Sequence, residues 1–271
     1  MVRSLIVAAA LAGMSSATHA STLVLDRGLP NTNLNNISGA NRSNVAWGYL
    51  QSSSPLSTSG DDYMLGATGS ASNPLWRIDT LRIWIVAGPA GDPTFTLSDR
   101  YINAQLYLKN GSGPMGLVQA GTFTAGNVTD NPNIIISAVQ YPTVPGQDYE
   151  TTTSTFAQIW QVDFTNLGIE VAPGDQVQFF PFGATIDPSR AWFNHASNAA
   201  LSGTAQQGAD NLFRFLDLSD FTNTGTVDSF GNGWDKSSDI NVQVFATAVP
   251  TPGTAAVLAL GGLLAARRRR A

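Results

Sequence analysis

Cysteine is absent from this chain of 271 residues. That excludes a disulfide framework, thiol nucleophiles and any cysteine-ligated metal site. Glutamate occurs only as Glu150 and Glu170, and lysine only as Lys109 and Lys236. Scarcity of these straight-chain helix formers, with Gly, Ser, Thr and Asn abundant, describes strands and turns rather than helices. No apolar run reaches the ~20 residues that a membrane-spanning helix needs. Positive charge is also scarce in the middle of the chain. Residues 21–248 hold all 19 acids against nine bases, a net of −10, and the whole-chain value of −5 conceals this because Arg3 and four C-terminal arginines offset it. An acidic body excludes nucleic acid as a partner, because phosphates require a basic face. What is present argues against disorder: aromatic and β-branched residues are plentiful and periodically placed.

The two ends differ from the middle. Met1-Val2-Arg3 gives a positive start, 5–14 is apolar, and 15–20 is polar and small. That is the layout of a secretory signal peptide and its signal helix, with cleavage expected between Ala20 and Ser21 by signal peptidase. At the other end Val249-Pro250-Thr251-Pro252-Gly253 precedes an apolar run, 254–266, and then Arg267, Arg268, Arg269 and Arg270. The run is apolar all round, as a short hydrophobic helix in lipid would be, and the arginines would stay on the cytoplasmic side. The chain therefore divides into a signal peptide (1–20), a body (21–248) and a tail (249–271).

This tail resembles the PEP-CTERM sorting signal of Gram-negative bacteria. Pro250, Thr251 and Pro252 stand at its hinge, with Thr251 where the family most often has Glu, and Arg267, Arg268, Arg269 and Arg270 form its basic end. The resemblance implies recognition by an exosortase-type membrane protease, a transient membrane span, and a destination at the cell envelope, outer surface or extracellular matrix. An ordinary tail-type membrane anchor is the alternative, and the run is short for one. Within the body, 60–116 resembles a recurring β-sandwich domain of secreted bacterial proteins. The likeness rests on Asp61-Asp62-Tyr63, a Trp-x-Ile-x-x-Leu-x-Ile strand from Trp76 to Ile83, and a Gln-Leu-Tyr-Leu strand with a Gly-Pro turn. A closing strand, Asp239-Ile240-Asn241-Val242-Gln243-Val244-Phe245, fits as well. It implies a fold and no activity.

Period-two alternation marks the strands. It puts Leu81, Ile83 and Ile85 on one face of 79–86, and Ile102, Ala104, Leu106 and Leu108 on one face of 101–109. It groups Phe156, Trp160, Val162 and Phe164, and also Ile240, Val242, Val244 and Ala246. Weaker strands are expected at 22–26, 45–51, 63–67, 117–123, 134–139, 176–182 and 212–218. Turn signals lie at 60–62, 110–113, 130–133, 173–175 and 231–233, with Pro173-Gly174 suited to a type II turn. Polar stretches at 27–44, 50–61 and 195–210 read as surface loops. The expectation is an all-β, antiparallel β-sandwich of jelly-roll kind.

Catalytic chemistry finds no foothold. His195 is the one histidine of the body, no Gly-x-Ser-x-Gly elbow occurs, and no catalytic residue is assigned. Glu150 and Glu170 read as solvated surface charge, although glycoside hydrolysis would need only a carboxylate pair. Structural calcium suits the Asp- and Asn-rich segments. These are 59–62 and 228–239, the latter carrying Asp228, Asp235 and Asp239, although the same residues also favour ordinary turns. Among the six tryptophans, Trp234 lies in the turn-rich stretch and is the exposed ring expected to meet a ligand such as exopolysaccharide, while Trp84 is out of phase with its core neighbours. The function these readings imply is an exported, non-enzymatic structural or adhesive protein, processed at its tail. The alternatives are a secreted carbohydrate-active enzyme using an Asp pair, and a simple membrane-tethered spacer.

Overall fold

The computed structural model of the chain describes residues 20–30, 45–46, 57–89, 92, 94–139, 157–186, 192–195, 213–218, 221, 224–227 and 239–250. These residues form an all-β protein of two seven-stranded sheets in which every pairing is antiparallel. The first sheet contains β1 (Thr22–Asp26), β2 (Val45–Ala46), β4 (Leu75–Pro89), β8 (Ile134–Val139), β9 (Ala157–Val171), β11 (Phe193–His195) and β14 (Val242–Val249). The second contains β3 (Ser57–Met64), β5 (Asn103–Asn110), β6 (Gly116–Ala125), β7 (Val128–Thr129), β10 (Gln176–Phe182), β12 (Phe213–Asp217) and β13 (Thr224–Val227). Among the described residues the one helical element is a 3-10 turn, Leu97–Asp99. The signal helix and the C-terminal hydrophobic helix lie outside the described residues.

Strand β4 organises the first sheet. One of its edges pairs with β9 along its length. The other pairs first with β14, then with β11 near its end. Leu81, Ile83 and Ile85 are fully buried, as their spacing predicts, and they join Trp160, Val162 and Phe164 of β9 and Val242 and Val244 of β14 in one core. The second sheet sends Ala104, Leu106, Leu108, Val177 and Phe179 into the same core. Strand β5 shows the alternation cleanly, but Ile102 does not extend it: it precedes the strand and is 48% exposed. Burying a leucine or isoleucine side chain contributes about 1.5–3 kcal/mol, so a core of this size carries a chain that has no cross-links.

Both long strands run further than their alternation does, and bulges explain the difference. Relative to β14, β4 holds one extra residue beside Asp79, so Ile78 and Leu81 both point inward across an odd interval. An inserted residue shifts the period-two pattern and ends the sequence signal. Strand β9 bulges opposite, where Asn166 and Gly168 take positive φ values of 56° and 63°. The turn at 172–175 closes as expected: Asp175 N–H donates to the Ala172 carbonyl at 3.1 Å, and Gly174 sits at φ 84°.

The largest correction concerns 57–62. Ser57, Thr58, Ser59, Gly60, Asp61 and Asp62 were expected in a loop and a turn, yet they form the first part of β3, paired with β12 along 57–60 and with β10 from Asp61 onward. Gly60 is required there. A Cβ at that position would overlap the Phe179 carbonyl and the Phe180 ring. The segment reads as polar because its residues meet the polar side chains of Arg27, Arg214 and Asn194, which locates the site described next.

Candidate functional site

Three polar constructions stand out: a sealed charged cluster at one end of the core, and one row of side chains on the outer face of each sheet. The cluster is built where β1 leaves its sheet. Arg27 N–H donates to the Val242 carbonyl, which carries the side chain inward beside β3. The guanidinium is fully buried. It donates to Asp61 at 2.9 Å and to the Ile240 carbonyl at 3.4 Å, lies 3.6 Å from Asp239, and also donates to the Asp62 carbonyl. Asp61 accepts from the backbone N–H of Asp62 at 2.7 Å and from that of Ile240. Arg214 of β12 closes the outer side by pairing with Asp62. Burial lowers the affinity of the Arg214 guanidinium for its proton, and the charge of Asp61 opposes that shift. Tyr63 packs alongside, ring to ring with Phe179 at 5.8 Å. Its buried hydroxyl has no hydrogen-bond partner. Burial pushes this phenol well above its ordinary value, with Arg27 pulling the other way.

The adjoining core is also polar. Trp192 donates to Asn194 at 3.0 Å, and Asn194 in turn donates to the Ser59 carbonyl at 3.2 Å. His195 Nδ1 lies 2.9 Å from Asn241 Nδ2, and the backbones of the two residues are joined at 2.9 Å. His195 is thus the last residue of a strand and fully buried.

On the outer face of the first sheet the register aligns Asp26, Gln243, Arg82, Asp163 and Ile135 in one row. Arg82 grips Asp163 with two bonds of 2.7 and 2.8 Å, donates to Gln243 at 3.3 Å, and lies 5.1 Å above the Phe245 ring. The outer face of the second sheet is different. Gln178 donates to Gln176 at 3.4 Å and Gln176 to Asp62 at 2.9 Å, forming an amide ladder that ends on Arg214. One strand further, Tyr107 donates to Gln105 at 3.2 Å and stacks on Phe221, with centroids 5.0 Å apart and planes 26° apart.

Against this geometry the expected site residues fall as follows. Ala20 and Ser21 are exposed and immediately precede β1, and Pro250 is exposed and immediately follows β14. Thr251, Pro252, Arg267, Arg268, Arg269 and Arg270 lie outside the described residues. So do Asp228, Asp235 and Trp234. Asp239 is fully buried, facing Arg27 rather than solvent. The other calcium candidate, 59–62, is strand interior with Asp61 and Asp62 held by arginines, which corrects the loop expected there. Among the described residues no group of three or more acids or histidines is arranged to hold a metal ion. Glu170 is exposed, across the sheet from Arg77. Trp84, Trp160 and Trp192 are buried, and Trp84 packs on Ile159 on the side of the sheet away from the main core. Trp76 is half-buried and donates to the Gly66 carbonyl. The sequence reading missed Tyr107, Phe221 and Gln178. It weighed only tryptophans as platforms, although the Gln-Leu-Tyr-Leu strand was visible and its alternation already turned Tyr107 away from the core.

Comparison with protein-family models, with curated proteins and with solved structures finds no match. No helix among the described residues is long and apolar enough to cross a membrane.

Proposed function

We propose that this is an exported, non-enzymatic protein of the bacterial cell surface or extracellular matrix, a jelly-roll-like β-sandwich that binds exopolysaccharide and is processed at its tail. The observation that carries the reading is where the fold begins and ends. Strand β1 starts at Thr22, directly after the expected cleavage point, and β14 ends at Val249, at the proline hinge. The described strands therefore fall within the span between two segments that look like transport signals. β1 and β14 also pair side by side, Thr22 opposite Ala246, so both segments leave from neighbouring strands. A single tether at the tail would hold the domain by one end and leave its sheet faces accessible.

Binding is favoured over hydrolysis by the placement of the carboxylates. A glycosidase needs one carboxylic acid able to give up a proton beside a second carboxylate. Among the described residues, four of the buried carboxylates, Asp61, Asp62, Asp239 and Asp163, face arginines, an arrangement suited to holding charge. Cell fractionation with intact-mass analysis tests the reading. The expected product is an envelope or extracellular form beginning at Ser21, and deletion of Arg267, Arg268, Arg269 and Arg270 should leave the tail unprocessed. A cytoplasmic protein retaining both ends would refute it.

A further inference from the structure

Building on the glycan-binding reading, we infer that the outer face of the second sheet carries a stacking subsite for a neutral pyranose, with Phe221 as its platform. Phe221 is 37% exposed, and its backbone sits at φ 55°, a conformation that a bulky residue rarely adopts. Strain of this kind persists only where the surroundings enforce it, and it is concentrated at functional positions. Here the surroundings are visible. The Phe221 N–H donates to the Asp217 carbonyl at 2.9 Å, and the ring lies nearly parallel to Tyr107 at 5.0 Å. Tyr107 thus backs one face of the Phe221 ring. An aromatic face of this kind matches the apolar C–H face of a sugar ring, and polar groups at its margin can read the hydroxyls.

The margin is supplied by the same sheet. Tyr107 pairs with Phe180, and Lys109 pairs with Gln178, so Gln178 and Lys109 lie in the next row on the same face. That row is about 7 Å away along the strands, given a rise of ~3.4 Å per residue. Gln178 is only 7% exposed, and its buried Oε1 has no hydrogen-bond partner, an acceptor that a sugar hydroxyl would satisfy once ligand entry uncovers it. Its amide nitrogen is fixed by Gln176, which orients that oxygen. Gln105 holds the Tyr107 hydroxyl, and burial pushes this phenol upward so that it stays protonated. The ligand is a neutral glycan because the body carries a net charge of −10 and, among the described residues of this face, Lys109 is the one cation not already facing a carboxylate.

The test is isothermal titration of the full-length chain, in mild detergent, with β-1,4-glucohexaose, β-1,4-mannohexaose, α-1,6-glucohexaose and anionic hexamannuronate. At least one neutral hexasaccharide should bind. Phe221→Ala should weaken that binding tenfold or more, and Gln178→Ala severalfold. Phe221→Trp, which keeps a platform, should retain it and guards against a folding defect in the alanine variant. Leu23→Ala on the other sheet should change nothing. Equal binding by wild type and Phe221→Ala would overturn the subsite while leaving glycan binding intact. Preference for hexamannuronate would overturn the neutral class. Failure of the wild type to bind any of the four would remove the glycan reading itself, and this inference with it.

Discussion

Arg27 and Arg82 each hold an aspartate, at 2.9 and 2.7 Å, in settings that otherwise share little. Arg27 and Asp61 are sealed at 0% exposure, whereas Arg82 and Asp163 remain 27% and 12% exposed on a sheet face. The inner arginine bridges β1, β3 and the entry to β14 through two carboxylates and two carbonyls. The outer one lies along a row of side chains that the sheet has already brought into line. Water can replace Arg82's bonds if they are lost, and cannot reach those of Arg27. An ion pair of the same chemistry is therefore a structural keystone in one place and a modest surface contact in the other.

The sharpest way to break this contrast is Arg27→Ala. It leaves Asp61 and Asp239 buried without their cation and should cost about 3–5 kcal/mol in chemical denaturation. A loss below ~1 kcal/mol would show that the cluster is hydrated and that the contrast is false. Next in size is Gly60→Ala, beside the cluster. Its Cβ meets a backbone carbonyl and a ring, so the strand must shift, at about 1–3 kcal/mol of stability. An unchanged midpoint would mean that β3 and β10 are further apart than described.

Tyr63→Phe should go the other way. It removes a buried hydroxyl that has no partner, and should stabilise the protein at pH 7 by about 1 kcal/mol. It also has a pH signature. The unfolded phenol ionises near 10.0, and the folded one at a higher value. The stability linked to this group is thus fully present below pH 10 and is lost as pH rises from there toward the folded value. The variant should lack that alkaline decline, which a series of melting curves between pH 8 and 11 would reveal. Smallest is Arg82→Ala. Surface pairs contribute about 0–1 kcal/mol and are screened by salt, and this partly covered pair, at 27% and 12% exposure, should lie at the upper end of that range. Its cost should shrink further in 1 M salt, whereas that of Arg27→Ala should not.

The legibility of the chain follows the same division. Leu81, Ile83 and Ile85, and Val242 and Val244, announce their strands because alternation is a local property and burial on one face rewards it directly, whereas Ile240, expected in the same strand, precedes β14. Reading failed at Asp79, where a bulge shifted the period, and at Ser59, Gly60, Asp61 and Asp62, which have the composition of a turn. It failed again at Tyr107 and Phe221, 114 positions apart in the chain and in ring contact. In each case the deciding group comes from elsewhere in the chain.

The sequence by itself determined an all-β body, most of its strands, the type II turn at Pro173-Gly174 and the distinct character of the two ends, since all of these depend on residues within a few positions of one another. Only the tertiary structure decided that Arg27 lies inside, that Asp61 and Asp62 belong to a strand, and that an aromatic pair stands on the second sheet. A charge can be buried only where its counter-charge waits, and for Arg27 that partner lies 34 positions away at Asp61, with a supporting backbone carbonyl 213 away at Ile240.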